Sequence, residues 1–108
     1  MVRVERGDVI WINFDPSVGH EQKGKRPALV ISPGAYFTKT GMALLCPISS
    51  VEKGYPFELP VHVGDVVGVI LLDQIKVCDA RARGFKKAGS VTKATMVDAQ
   101  KLLQKLIF

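Results

Sequence analysis

The sequence predicts a mainly β, α+β fold closed by a C-terminal amphipathic helix. Short runs rich in β-branched and aromatic residues recur between residues 8 and 73, bounded by Pro, Gly and Asp turn signals. Several runs are apolar on both faces, GVILLD at 68–73 above all, which calls for a closed barrel or a sheet covered on both sides. From Met96 onward the apolar residues recur at helical spacing instead.

The first strand is Asp8 to Phe14, stopped by Asp15-Pro16. The polar segment Asp15 to Lys25 is longer than a hairpin needs, and long loops in compact domains often carry function. Ala28 to Ser32, entered through Arg26-Pro27 and closed by Pro33, is the second strand. Met42 to Ile48 is the third, and Pro47, with no N–H to donate, sends its end toward a sheet edge or bulge. Phe57 to Val63 and Val66 to Asp73 follow, joined by a Gly64-Asp65 turn. In the helix, Met96, Ala99, Leu102, Leu103, Leu106 and Ile107 share one face, opposite Asp98, Lys101, Gln104 and Lys105. Thr92 is the expected N-cap, and Lys101 and Lys105 suit the negative end of the helix dipole.

At 108 residues a single domain is expected. Cys46 and Cys78 fit no metal or redox spacing and are expected to be free, buried thiols. The charged start MVRVERGD is no secretory signal and no apolar run is long enough to span a bilayer, so a cytoplasmic protein without membrane contact is expected. Fifteen Lys and Arg against ten Asp and Glu give a net charge of +5, which points to an acidic partner, either nucleic acid or an acidic polypeptide.

The densest chemistry lies in Gly19-His20-Glu21-Gln22, followed by Lys23-Gly24-Lys25-Arg26-Pro27. An acid, an imidazole, an amide and three cations in a glycine-flanked loop can bind a phosphodiester and move protons around it; the bland alternative is a solvated loop. Arg26 begins an apolar strand, where its guanidinium can grip a phosphate bidentately or pair with a surface carboxylate. Ser49 and Ser50 offer hydroxyls to a phosphate oxygen, or form a serine turn. Lys76, Arg81, Arg83, Lys86, Lys87 and Lys93, with Phe85 among them, suit either a backbone-tracking groove with a stacking ring or a solvated face. Tyr55 can stack on a base, while Phe57 fits the core as readily, and His62 is read as structural. The acids lack the tight spacing of a magnesium site and no nucleotide-binding loop is present, so neither metal nor cofactor is expected.

The order of these motifs resembles the MazF/PemK toxin family, on the MazF side of it. ERGDVIWINFDPSVGHEQKGKRPALVISP is similar to the family's opening pattern, and KTGMALLCPIS, KGYPFEL, GVILLDQIK and DARARG follow in order over essentially the whole chain. The resemblance implies an SH3-like β-barrel with short helices, a homodimer, and sequence-selective, metal-independent cleavage of single-stranded mRNA, held inactive by an acidic antitoxin. It makes Arg26 the catalytic arginine, Glu21 the acid of the EQ pair, and Ser49 the hydroxyl where most relatives carry threonine. His20 and Asp73 match residues with roles in the PemK branch, but Leu71 replaces that branch's arginine. The catalytic set is therefore Arg26, Glu21, Ser49 and His20. The RNA-contacting set is Gln22, Lys25, Ser50, Lys53, Tyr55, Phe57, Asp73, Gln74, Lys76, Arg81, Arg83, Lys86 and Lys87. Two rival readings are a CcdB-type gyrase poison and an inactive RNA-binding module. Against the first, the only tryptophan is Trp11 and the chain ends KLIF, without a tryptophan-bearing tail.

Overall fold

The computed structural model describes residues 3–15 and 24–108. Its strands are β1 (Asp8–Asn13), β2 (Lys25–Val30), β3 (Met42–Ser49), β4 (Glu58–Val63), β5 (Val66–Leu71), β6 (Lys76–Asp79) and β7 (Phe85–Ser90). Helices α1 (Gly34–Thr40), α2 (Ala80–Arg83) and α3 (Lys93–Ile107) and a 3-10 turn at Leu72–Gln74 complete the described elements. The strands form one antiparallel sheet in the order β4-β5-β3-β2-β1-β7, with β6 paired to β3 beside that path. The sheet curls until β4 and β7 approach each other without a ladder between them, a half-barrel.

Both faces of the sheet are covered, which explains the runs that are apolar throughout. Neighbours along a strand enter different cores: Ile10, Ala28, Val30 and Leu45 pack with Phe14, Phe37 and Ala80 in one, Val9, Leu29 and Cys46 with Ile48, Ile70 and Leu72 in the other. Helix α3 closes the second core with Ala99 and Leu103. Thr92 caps it, accepting the N–H of Thr95 at 3.2 Å. Ile107, assigned to the buried face, is instead 56% exposed because it lies past the last turn that reaches the sheet. No described helix is long and apolar enough to cross a membrane.

Two departures from the sequence reading have a physical origin. Pro47 does not end β3 or lie at an edge: the strand runs on to Ser49, with Pro47 opposite Ala28 of β2. On the other side of β3, residues 42–45 pair with β6 and 48–49 with β5, so Pro47 falls in the gap where no ladder partner is registered. The basic stretch after Lys76, read without regular structure, is divided among β6, α2 and β7. These elements are short and largely exposed, and lack the apolar alternation that betrays a strand.

Candidate active site

The groove arises where a strand is interrupted. β5 and β6 lie along the same edge of β3, with Ile48 opposite Ile70 and Leu45 opposite Lys76, so three steps along β3 match six along the other chain. The 3-10 turn Leu72–Gln74 takes up the excess, in the manner of a bulge. Asp73 and Gln74 of that turn line a groove together with Ser49, Lys53 and Tyr55, five residues singled out in the sequence, and with Val51, Leu71 and Glu58. The turn is held by the Leu72 N–H, which donates to the Phe57 carbonyl at 3.2 Å. Phe57 itself is half-buried and does not line the groove; Ser50 is exposed beside it.

Ser49 is buried, 7% exposed, and its hydroxyl is oriented by the chain that follows it. Its Oγ accepts the Val51 N–H at 3.1 Å and donates to the Val51 carbonyl at 3.4 Å. The second contact is long for an O–H donor, so the hydroxyl can turn its hydrogen bond toward a better acceptor at little cost. Gly68 of β5 makes room for the Ser49 backbone, since a Cβ there would stand 2.1 Å from the Ser49 carbonyl oxygen.

Arg26 is half-buried on β2 opposite Ile12. Ala28 pairs with Pro47, and Arg26 and Ser49 each lie two residues beyond that pair, so side-chain alternation puts both on the face of the first core. Lys76 of β6 belongs to the same end, its ammonium 5.3 Å from the centroid of the Phe14 ring. His20, Glu21 and Gln22 lie outside the described residues.

The remaining basic residues do not form one tract in this chain. Arg81 is exposed but folded back onto α1: its Nη2 donates to the carbonyls of Phe37 at 3.1 Å and Thr38 at 3.4 Å, and its guanidinium lies 5.1 Å from the Phe37 ring centroid. It thereby satisfies the C-terminal end of α1. Phe85, read as a stacking ring, packs edge-on against Phe37 in the core. Lys87 forms an ion pair of 3.2 Å with buried Asp8. Lys25, Arg83 and Lys86 instead line, with half-buried Trp11, a separate cleft on the surface of the paired strands β1 and β7, and Arg83 Nη1 donates to the carbonyls of Asn13 and Asp15. Lys93 is exposed at the start of α3, and His62 is exposed on β4.

Cys46 is fully buried and its thiol is pushed up to about 12, first by burial and then by the Asp73 charge, so it is a packing group and no nucleophile. Cys78 is also buried and raised by burial, as expected of an inert thiol. Sequence reading missed Glu58, Trp11 and Gly68. A lone acid at a strand start, a tryptophan within an apolar run and a glycine in a strand become informative only once their neighbours are known.

The sequence pattern of the PemK-like, MazF-like toxin of type II toxin-antitoxin systems matches residues 5–107. The chain belongs to this toxin family. Among its relatives, the endoribonuclease toxin MazF of Escherichia coli (strain K12) is 49% identical over 87 residues, 81% of this chain and 78% of that one. The crystal structure of MazF (Form-I) from Deinococcus radiodurans superposes with a TM-score of 0.91 at 39% identity, covering 99% of this chain and 98% of that one. MazE-MazF (Form-II) from the same organism gives a TM-score of 0.85 at 40% identity, over 99% and 97% of the two chains. The curled sheet with its C-terminal helix is thus the MazF fold, and these toxins are named for RNA cleavage, which does not favour the non-catalytic readings.

Proposed function

We propose that this chain is a sequence-selective endoribonuclease toxin that cuts single-stranded mRNA without a metal ion. The reading is supported by the strand register, from which Arg26 and Ser49 share one face of the sheet, and by the oriented Ser49 hydroxyl that lines the groove, in a chain 49% identical to a toxin named endoribonuclease.

RNA supplies its own nucleophile. A base, Glu21 or His20, removes the proton of the 2′-hydroxyl; the 2′-oxygen attacks phosphorus; the 5′-oxygen leaves and takes up a proton. The products are a 2′,3′-cyclic phosphate and a 5′-hydroxyl. Arg26 stabilises the dianionic phosphorane through its guanidinium, and the Ser49 hydroxyl donates a hydrogen bond to a non-bridging oxygen. Lys53, Tyr55, Asp73 and Gln74 contact the strand along the groove, with Tyr55 offering a ring for stacking.

The toxin is restrained by an acidic antitoxin that covers the same groove. The net charge of +5 and the MazE-MazF complex of a relative support this. It acts in the cytoplasm as a homodimer, whose second copy extends the positive surface. Incubating the purified protein with mixed-sequence RNA in EDTA tests the reading: discrete cleavage is expected. Intact RNA that nonetheless shifts on a gel would indicate a binding module, and intact RNA with no shift would favour a target other than RNA.

A further inference from the structure

The segment between β3 and β4, residues 50–57, has no ladder of its own, yet it brings Lys53 and Tyr55 into the groove. A backbone outside sheet and helix needs other hydrogen-bond partners. Glu58, the first residue of β4, supplies them. Its Oε1 accepts the N–H groups of Lys53 at 3.1 Å and Gly54 at 2.9 Å, and its Oε2 accepts that of Lys53 at 3.2 Å. Its own N–H donates to the Tyr55 carbonyl at 3.2 Å. Gly54, at φ +79, turns the chain so that consecutive amides point at one carboxylate.

An acid lining a groove for a polyanion is unfavourable on charge alone. Its engagement by backbone amides gives it a different use. We propose that Glu58 is a positioning residue for specificity: it clamps Lys53, Gly54 and Tyr55 so that the lysine and the ring meet RNA in one geometry, which narrows the choice of bases at the cut. Glu58 transfers no proton. The specificity role rests on the ribonuclease reading above; the clamp itself does not.

Two variants separate the clamp from the charge. Glu58→Gln removes the charge but keeps Oε1 as acceptor for both amides, whereas Glu58→Ala removes the acceptor. Both are made in the full chain and checked by thermal unfolding, and their cleavage ends are mapped on a long mixed-sequence RNA. For Glu58→Ala, kcat/KM at preferred sites should fall roughly 10- to 100-fold through KM, with relatively more cutting at other sites. Glu58→Gln should stay close to the unsubstituted protein, and the pH profile should be the same in all three. Unchanged KM and selectivity in Glu58→Ala, or a Glu58→Gln variant as impaired as Glu58→Ala, would overturn the proposal. Hydrogen exchange at the Lys53 and Gly54 amides, measured without RNA, should quicken in Glu58→Ala only. If it does so in a protein that cuts no RNA, the ribonuclease reading and the specificity role fall and the clamp stands. If exchange is unchanged, the clamp itself is wrong.

Discussion

Arg26 and Ser49 are held by different means, and this decides what their substitution does. Arg26 is half-buried at the start of β2, where its stem contributes little to either core, so Arg26→Ala should fold normally and lose about 10² to 10³ in cleavage rate. Circular dichroism with a turnover assay checks both halves. Ser49 depends on Gly68: placing a methyl group 2.1 Å from its carbonyl oxygen forces β5 or the Ser49 peptide to move. Gly68→Ala should therefore cost about 1–3 kcal/mol of stability and also reduce turnover, where most surface substitutions change neither. Cys46 offers a pH test. Its folded pKa of about 12 lies above the ordinary 9.0, so the native state holds the proton more tightly than the unfolded chain does. That contribution to stability is complete below the ordinary value and is lost as pH rises from 9.0 toward about 12. A thiol reagent at about pH 8 should label neither cysteine until denaturant is added; stoichiometric labelling of the native protein would contradict the burial of both.

Among the elements, legibility followed the strength of the apolar pattern. β1, β3, β5 and α3 were readable because they put apolar side chains into the two cores at period two or at helical spacing. α1 and the run from β6 to β7 were not, since their stability comes from contacts distant in sequence. Arg81 shows this well: in the sequence it belongs to a basic tract, and in the fold its guanidinium serves α1 some forty residues earlier. Arg81→Ala should lower the thermal midpoint while leaving the salt dependence of RNA binding unchanged. Lys86→Ala, at the exposed Trp11 cleft, should leave the midpoint alone and make binding less sensitive to salt. The groove was half legible. Ser49 and Tyr55 are legible from their own chemistry and Asp73 and Gln74 from the family motifs, but the interruption of the β5–β6 strand that brings Asp73 and Gln74 to Ser49 depends on pairing register, which one chain's pattern does not display.

For the whole molecule, the groove that holds Lys53 and the basic Trp11 cleft with Lys25, Arg83 and Lys86 share no lining residue in one chain. A two-fold pair is expected to extend the positive surface available to a strand of several nucleotides. Light scattering at micromolar concentration should give about twice the 11.8 kDa chain mass. In the proposed reaction the 2′-hydroxyl of RNA is the nucleophile. The most direct test uses an RNA carrying the mapped cut site and the same oligonucleotide with one deoxyribose at the scissile nucleotide, both incubated in EDTA. The all-ribose strand should be cut to a 2′,3′-cyclic phosphate and a 5′-hydroxyl while the substituted strand survives; cleavage of the substituted strand at that position would contradict the mechanism.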